Sequence, residues 1–199
     1  MEDTPTEGKL KQSHFKLWEI LDRKILLSAQ PWLEVWRERV RLPDGRIIPD
    51  YYKLVVPDVA AVVAITAEEK ILVLRQYKHG VGGPVWGLPS GFCNNNESPL
   101  DCAQRELLEE TGCRAERWIN LGNYICDANR GGGSEYVFLA LDTQKVAEPS
   151  NPDLEEYQVH YLEMEDLLSL IRNQQIKPVG FIAAILLAHF YLEADDGRR

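Results

Sequence analysis

The sequence predicts an α/β (α+β) sandwich preceded by a short β-rich segment. Apolar runs typical of strands are interleaved with two or three helical segments, which is the pattern of a layered α/β or α+β domain. The length of 199 residues suits one good-sized domain with a small appendage, and contents of 45% hydrophobic and 27% charged residues are ordinary for a globular chain. We expect residues 1–56 to form the β-rich extension and residues 57–199 to form the main domain.

The extension contains β-type segments and one turn signal. Residues 1 to about 13 are polar, and we expect the chain to be frayed there. The following run, up to Val56, predicts strands, and the sequence PDG at Pro43–Gly45 is typical of a hairpin turn. The extension is therefore predicted to contain a β-hairpin.

The main domain begins with two strongly apolar strands. They lie in the run VAAVVAITAEEKILVLRQY, where Glu68–Lys70 forms the predicted turn, and this pattern is typical of a buried sheet. The next run, VGGPVWGLPSG, predicts a loop with a short strand around Trp86 and Leu88. Further along the chain we expect strands near Trp118–Cys126, near Glu135–Leu141 and in YQVHYLEM, and helices near Glu165–Asn173 and from Pro178.

A helix is predicted between Ser98 and Gly112. Ser98 is a suitable N-cap, Pro99 suits the first helical position, and Asp101 follows the cap by three residues. Gly112 is expected to end the helix. On one side of this helix, three apolar residues are expected to face the core: Leu100, Ala103 and Leu107.

The same helix carries three carboxylates on one side. Glu106, Glu109 and Glu110 are spaced by three and four residues, and like charges at this spacing weaken a helix by roughly 0.2–0.5 kcal/mol per pair. A solvated acidic face is the usual explanation of a charge run. It does not account for the glycine-bounded loop, for Glu97, or for Arg105 beside the cluster, which can hold a carboxylate by a charge-assisted hydrogen bond. Carboxylate oxygens that converge from one helical face suit a hard divalent cation, Mg²⁺ or Mn²⁺.

The composition limits the classes of partner. A net charge of −9 argues against binding to a nucleic-acid backbone, which needs a basic face, although a metal ion can still recruit a small anionic ligand. The most apolar segment, Phe181–Leu192, has 12 residues, too few to span a bilayer, and its His189 is expected to be a core histidine. The four cysteines form no CxxC pair and no signal-peptide pattern precedes them, so we expect reduced thiols in a cytoplasmic protein.

The stretch from Gly91 to Cys113 resembles the Nudix box, G-x5-E-x7-R-E-U-x-E-E-x-G-U, where U is a bulky aliphatic residue. Cys113 stands where Ile, Leu or Val is usual. Seven fixed matches of this kind arise by chance on the order of 10⁻⁶ per chain. The residues that fall on the pattern are Gly91, Glu97, Arg105, Glu106, Leu107, Glu109, Glu110 and Gly112.

This resemblance implies a Nudix-type α/β/α sandwich with a mixed sheet that hydrolyses a nucleoside diphosphate linked to another moiety. It implies that Glu106, Glu109, Glu110 and the backbone carbonyl of Ser90 bind Mg²⁺ or Mn²⁺. Glu109 and Arg105 then count as catalytic residues. Three further residues are expected to be structural: Gly91, Glu97 and Gly112.

The flanking segments resemble the ADP-ribose and ADP-sugar pyrophosphatase branch of that family. The matching stretches are LRQYKHGVG ahead of WGLPSG and the LPDG hairpin of the extension, through which those enzymes dimerise. The resemblance implies that ADP-ribose is cleaved to AMP and a sugar phosphate by a homodimer. Arg75 and Lys78 would contact phosphate or ribose, and Trp32 and Tyr51 would stack on adenine, although aromatic residues in a hairpin also serve as packing.

The glycine-rich stretch DANRGGG departs from this branch, which usually has a proline there. It is either a ligand-binding loop, with Asn129 and Arg130 reaching the substrate, or a plain turn. The sequence therefore does not decide which sugar and which base the substrate carries. Hydrolysis of NADH or of dinucleoside polyphosphates, and nucleotide binding without turnover, are alternatives, and the intact box argues against the last.

The general base is expected outside the box, since a cation stabilises the charged form of the carboxylates that bind it. In the branch that the chain resembles, a glutamate from a loop between the last strands often activates the water. The matching loop is EPSNPDLEEYQVH, which ends with Glu155 and Glu156. Successive side chains on extended backbone point to opposite sides, so one of the two is expected to face the site, and we favour Glu156. The alternative is that both are solvated loop residues.

Overall fold

The computed structural model describes residues 16–150 and 157–196, which form two sheets and three helices. The predicted fraying of residues 1 to 13 lies outside these ranges. The extension forms strands β1 (Glu19–Ala29), β2 (Leu33–Arg41) and β3 (Ile47–Val55). The main domain follows with β4 (Val59–Thr66), β5 (Ile71–Lys78), β6 (Gly83–Gly87), β7 (Ser90–Phe92), α1 (Pro99–Thr111), β8 (Cys113–Arg114), β9 (Arg117–Ile125), β10 (Ser134–Lys145), β11 (Tyr157–Leu162), α2 (Met164–Arg172) and α3 (Val179–Asp196).

The extension is an antiparallel sheet in the order β1–β2–β3. The predicted hairpin turn at Pro43–Gly45 is confirmed. The N–H of Leu42 donates to the carbonyl of Arg46 at 2.8 Å, and Gly45 adopts a φ of +88°, which favours glycine. The sheet reaches the main domain through β3, where the N–H of Leu54 donates to the carbonyl of Arg130 at 2.8 Å.

The main sheet is mixed, and two of its central strands, β4 and β5, separate along most of their length. We call this separation the split, and it positions the box. Its strand order is β11–β5–β4–β10–β8, with β4 and β10 parallel and the other pairs antiparallel. Strands β4 and β5 pair only near Ala64 and Ile65. Beyond that point, β6 pairs with the rest of β5 and β7 pairs with the start of β4. The split brings β7 beside α1.

Helices cover both faces of this sheet, which confirms the predicted sandwich. On one face, α1 buries Cys102, Ala103 and Leu107 against strand residues such as Leu72. On the other face, α2 and α3 bury Leu167, Ala184, Ile185 and Ala188. Within the described residues, no helix is both long and apolar enough to cross a membrane.

Two details of the expected packing differ. Leu100 was expected in the core but is 37% exposed, because it lies in the first turn of α1, ahead of the buried stripe that runs from Cys102 to Thr111. His189 is only partly buried, and its Nε2 lies 3.4 Å from a carboxylate oxygen of Glu193. All four cysteines carry free thiols.

Candidate active site

Helix α1 is fixed at both ends by local contacts, as predicted. The hydroxyl of Ser98 accepts a hydrogen bond from the N–H of Asp101 at 3.1 Å. At the other end Gly112 has a φ of +70°, and its N–H donates to the carbonyl of Leu108 at 2.8 Å. A Cβ at Gly112 would lie 2.0 Å from the carbonyl oxygen of Ala147, so no other residue fits. These two caps set the position of every carboxylate on the helix.

Two of the three box glutamates are buried beneath β7. Glu106 is 7% exposed and Glu110 is 4% exposed, whereas Glu109 is half-buried. A Cβ on Gly91 would lie 2.1 Å from Oε1 of Glu106, so any larger residue there would displace this carboxylate. The N–H of Ser90 donates to Oε2 of Glu110 at 2.8 Å. Glu106 and Glu110 therefore form the joint between helix and strand.

Arg105 contacts three carboxylates, whereas the sequence argument gave it one. Its Nε and Nη2 donate to the two oxygens of Glu97 at 2.8 and 3.0 Å. Its Nη1 donates to Glu106 at 2.6 Å and to Glu109 at 3.1 Å. The hydrogen bond from Arg105 lowers the pKa of Glu97, and the carboxylates, Glu97 first, raise the pKa of the guanidinium above its usual value. The guanidinium and Glu97 therefore stay ionised together.

Glu97 joins the loop before α1 to the helix. In addition to binding Arg105, its carboxylate accepts the N–H of Asn94 at 2.8 Å, and its own N–H donates to the carbonyl of Asn94 at 3.0 Å. Nη2 of Arg105 reaches the same loop at the carbonyl of Phe92, at 3.1 Å. These contacts are the ones that a structural role for Glu97 requires.

The donor set suits a hard divalent cation in chemical type. Three carboxylates lie in the second half of α1, two of them against the backbone of β7, and oxygen ligands of this kind are those that Mg²⁺ and Mn²⁺ prefer. Among the described residues, however, no three His, Cys, Asp or Glu side chains already converge on a point where a metal would bind. Glu106 and Glu109 each give one oxygen to Arg105, so the guanidinium supplies the positive charge in this arrangement.

The predicted phosphate-binding residues lie on β5 at the border of the split. Arg75 is half-buried, and its guanidinium carbon lies 5.2 Å from the centre of the Trp86 ring, on the neighbouring strand β6. Lys78 is the last residue of β5, opposite Gly83. Both are therefore on the strand beside the split, with Arg75 held against an aromatic ring.

The two predicted stacking residues are in different surroundings. Trp32 is 65% exposed in the turn between β1 and β2, and its ring centre lies 6.3 Å from that of Phe92. The hydroxyl of Tyr51 donates instead to the carbonyl of Asn129, and its ring packs edge-on against Trp18 at 5.9 Å. Trp32 is thus brought to the strand that carries the box glycine, while Tyr51 packs on the glycine-rich loop.

The glycine-rich loop folds back on itself. One oxygen of Asp127 accepts the N–H groups of Asn129 and Arg130 at 2.9 and 3.0 Å, and its second oxygen lies 3.1 Å from the Arg130 guanidinium. These bonds, the backbone N–H of Arg130 first, lower the pKa of Asp127. This geometry favours the plain turn of the two alternatives, because Asp127 already binds the side chain of Arg130.

Some site residues lie outside the described part of the chain or were missed. Glu155 and Glu156 fall within residues 151–156, which the structure does not describe, and β11 begins at the next residue. Phe92 and Glu34 were not anticipated. Phe92 occupies a variable position of the box, and Glu34 acts through contacts that form only when β1 and β2 pair. An aromatic residue directly after the box glycine was the one available signal.

Comparison with known proteins gives matches over both regions. The NUDIX domain model matches residues 56–183, and the model of the nucleoside diphosphate sugar hydrolase N-terminal domain matches residues 18–54. An ADP-ribose pyrophosphatase of Bacillus subtilis is 27% identical over 146 residues, covering 72% of this chain and 78% of the relative. An ADP-ribose pyrophosphatase of Mycobacterium tuberculosis is 28% identical over 158 residues, covering 77% and 74%.

A solved structure has the same fold. The crystal structure of an ADP compounds hydrolase superposes with a TM-score of 0.80 at 17% identity, covering 92% of this chain and 98% of that one. The likeness therefore includes the extension as well as the main domain.

Proposed function

The chain belongs to the Nudix family, and from that premise we propose that it cleaves the pyrophosphate bond of a nucleoside diphosphate sugar, with ADP-ribose as the preferred substrate, to AMP and a sugar phosphate. The observation that carries this proposal is the joint between α1 and β7, where Arg105 holds two box carboxylates and one of them, that of Glu106, packs directly against Gly91. The family match makes the chain a Nudix hydrolase. The choice of substrate is supported by two ADP-ribose pyrophosphatases that match along most of the chain.

The box residues are proposed to hold a divalent metal ion. Glu106, Glu109, Glu110 and the Ser90 carbonyl would bind Mg²⁺ or Mn²⁺, which supplies charge neutralisation of the pyrophosphate and activation of the attacking water. Arg105 orients Glu106 and Glu109 through the bonds described above, and Glu97 fixes Arg105. Gly91 allows β7 to approach within reach of these oxygens.

The proton of the attacking water is proposed to pass to a loop glutamate. Glu156 is our first choice and Glu155 the second, because carboxylates that bind a cation are weak bases. We expect the correct Glu→Gln change to lower kcat by about 10²–10⁴-fold while metal affinity stays unchanged. If both single changes and the double change stay within about threefold of the parent, well below that range, the base lies elsewhere.

Substrate contacts are proposed for residues around the split. Arg75 and Lys78 would reach the phosphates or the ribose from β5, and Trp32 would stack on the base. The structure gives less support for substrate contacts by Tyr51 and Arg130, because their side chains already bind Asn129 and Asp127.

A homodimer and a cytoplasmic location complete the proposal. Ten of the eleven residues of β1 are exposed, and a second copy of the chain would cover this strand and could bring its own aromatic residues to the site. Four free thiols suit a reducing compartment.

A substrate panel tests the proposed reaction. ADP-ribose, ADP-glucose, NADH and a dinucleoside polyphosphate are each incubated with the protein and Mg²⁺, Mn²⁺ or a chelator, and the products are identified by chromatography. We expect the highest kcat/KM for ADP-ribose, with AMP as product and no turnover in chelator. A preference for NADH would reassign the substrate. Binding of nucleotides without turnover under any metal condition would make the chain a regulator.

A further inference from the structure

The turn that carries Trp32 is organised around one buried carboxylate. Glu34, on β2, is 8% exposed and accepts three hydrogen bonds. Its Oε1 accepts from the hydroxyl of Ser28 at 2.8 Å and from the amide of Gln30 at 2.9 Å. Its Oε2 accepts from the indole N–H of Trp36 at 2.9 Å. Ser28 is the second-last residue of β1 and lies opposite Glu34, so the carboxylate joins both strands and the turn between them.

All three donors to Glu34 are neutral, so no positive charge explains why a carboxylate is buried here. A buried charge is costly unless several hydrogen bonds satisfy it. A carboxylate can accept from three donors at once, whereas a glutamine would turn its NH₂ group towards at least one of them. The bonds, that of Ser28 first and then that of Trp36, lower the pKa of Glu34, so the group remains ionised near neutral pH.

The turn is also where the extension meets the box. The N–H of Trp32 donates to the carbonyl of Ala29 at 2.9 Å, which closes the turn. The indole of Trp32 then faces Phe92, which is 45% exposed, with ring centres 6.3 Å apart. The carbonyl of Phe92 accepts from Arg105, the residue that holds the box carboxylates. The exposed aromatic pair is therefore connected to the box carboxylates through a single residue, Arg105.

We propose that Glu34 is a positioning residue, which holds the Trp32 turn in its binding conformation before substrate arrives, so that the stacking role proposed above for Trp32 depends on it. This inference rests on the proposed function, because it assumes a nucleotide substrate. A preset turn avoids the loss of conformational entropy that ordering it on binding would cost. Glu34 is joined to the turn and not to the box, so its removal acts on binding of the base rather than on the chemical step.

The chain offers a matched control on the same strand. Glu38 is 5% exposed and four residues further along β2, and it is bonded to Arg23 through Nε at 2.8 Å and Nη2 at 2.7 Å. It pairs the same two strands but lies away from the Trp32 turn. Glu34→Gln and Glu38→Gln therefore remove the same charge from similarly buried places.

The test compares Glu34→Gln, Glu38→Gln, Trp32→Ala and the Glu34→Gln/Trp32→Ala double variant. For each, kcat and KM are measured with ADP-ribose, and its Kd is measured by calorimetry in chelator. We expect Trp32→Ala and Glu34→Gln to raise KM and Kd by about tenfold, with kcat within about twofold, since base stacking on an aromatic ring is worth that much. Glu38→Gln should leave both constants within about twofold, and Glu34→Gln should add nothing once Trp32 is absent.

Each alternative result points to a different failure. If Trp32→Ala raises KM and Kd but Glu34→Gln does not, the positioning role is wrong while the stacking role stands. If Trp32→Ala changes neither constant although turnover needs metal, the aromatic platform is wrong while the pyrophosphatase activity stands. A fall in kcat equal to the rise in KM for Glu34→Gln would also overturn the inference. Should Glu34→Gln fail to fold, Gln30→Ala removes one of the three bonds and must raise Kd in the same direction.

Discussion

The two sheets of this protein use the same β-type sequence pattern with opposite results. In the main domain, the six central residues of β4 are buried under helices on both faces. In the extension, ten of the eleven residues of β1 are exposed, and within residues 16–56 Val40 is the one buried hydrophobic residue. The main sheet is therefore stabilised by its own core, while the extension presents its apolar side chains outward.

The difference identifies what the extension lacks. Three strands need a covered hydrophobic face for stability, whereas the three helices of the described residues pack on the main sheet. Its buried polar residues, Glu34 and Glu38, are satisfied within the sheet by hydrogen bonds and an ion pair. Its exposed large apolar residues are Leu17, Trp18, Ile20, Ile25, Leu26, Leu27, Trp32, Ile47, Tyr52 and Val55. Exposed apolar surface of this kind is typical of sites that bind a protein, a membrane or a ligand.

The largest expected effect is a loss of activity without a loss of stability, for a variant in the main domain. Glu110→Gln removes a proposed metal ligand while its oxygen can still accept from the Ser90 N–H. We expect kcat to fall at least about a hundredfold, because several kcal/mol of transition-state stabilisation depend on the metal. The melting temperature in chelator should not fall, since a like-charge repulsion is relieved.

The matched control for Glu110→Gln is Glu165→Gln, an exposed glutamate on α2. It should leave the rate unchanged. A Glu110→Gln protein with a near-normal magnesium-dependent rate would remove Glu110 from the metal site.

A second effect tests how tightly β7 packs on α1. Gly91→Ala places a methyl group 2.1 Å from the buried carboxylate of Glu106, and overpacking of this kind costs about 1–3 kcal/mol of unfolding free energy. Activity should fall with stability because the same carboxylate is displaced. Gly80→Ala is the control, since a Cβ there meets nothing within 4 Å. Urea denaturation of both variants measures the difference, and equal midpoints would contradict the packing argument.

A substitution in the extension is expected to change the association of two copies of the chain and not the folding of the main domain. Leu27, half exposed on β1, is changed to Glu, which we expect to weaken a dimer by at least about tenfold, since burying a leucine contributes about 1.5–3 kcal/mol. Sedimentation at micromolar concentration measures the shift. Phe190→Glu, at another exposed apolar residue on α3, is the control and should not change the mass. A monomeric parent protein would mean that the apolar sheet serves another partner.

The comparison also explains what the sequence could predict. The caps of α1 were predictable because Ser98 and Gly112 act through neighbouring residues. The contacts of Arg105 with Glu97 and Phe92 were not, because they depend on how β7 and the loop return to the helix. In the extension, the turn at Pro43–Gly45 was visible in the sequence, but the surroundings of Trp32 were not, since they arise when β1, β2 and β7 come together.

The smallest expected effect concerns two carboxylates whose pKa values move in opposite directions in the two regions. In the main domain, burial raises the pKa of Glu135, whose carboxylate lies where a Cβ on Gly180 would be 2.1 Å away. Between the unfolded and folded pKa values the folded protein binds more protons, so stability falls as the pH rises through that range and stays lower above it. In the extension, the pKa of Glu34 is lowered, so its contribution is present above the unfolded value of 4.5 and is lost as the pH falls.

Glutamine at these two positions should therefore have opposite effects at neutral pH. Glu135→Gln removes a charge that burial disfavours and should raise the melting temperature by a few degrees, the shift that about 1 kcal/mol gives in a chain of this length. Glu34→Gln removes a charge that three donors stabilise and should lower it. Both differences should shrink when the melting temperatures are measured again at acid pH, where the parent carboxylates are protonated in both states. Two increases at neutral pH would show that burial, and not hydrogen bonding, decides the cost of a carboxylate in both sheets, and two decreases would contradict the cost of burial assigned to Glu135.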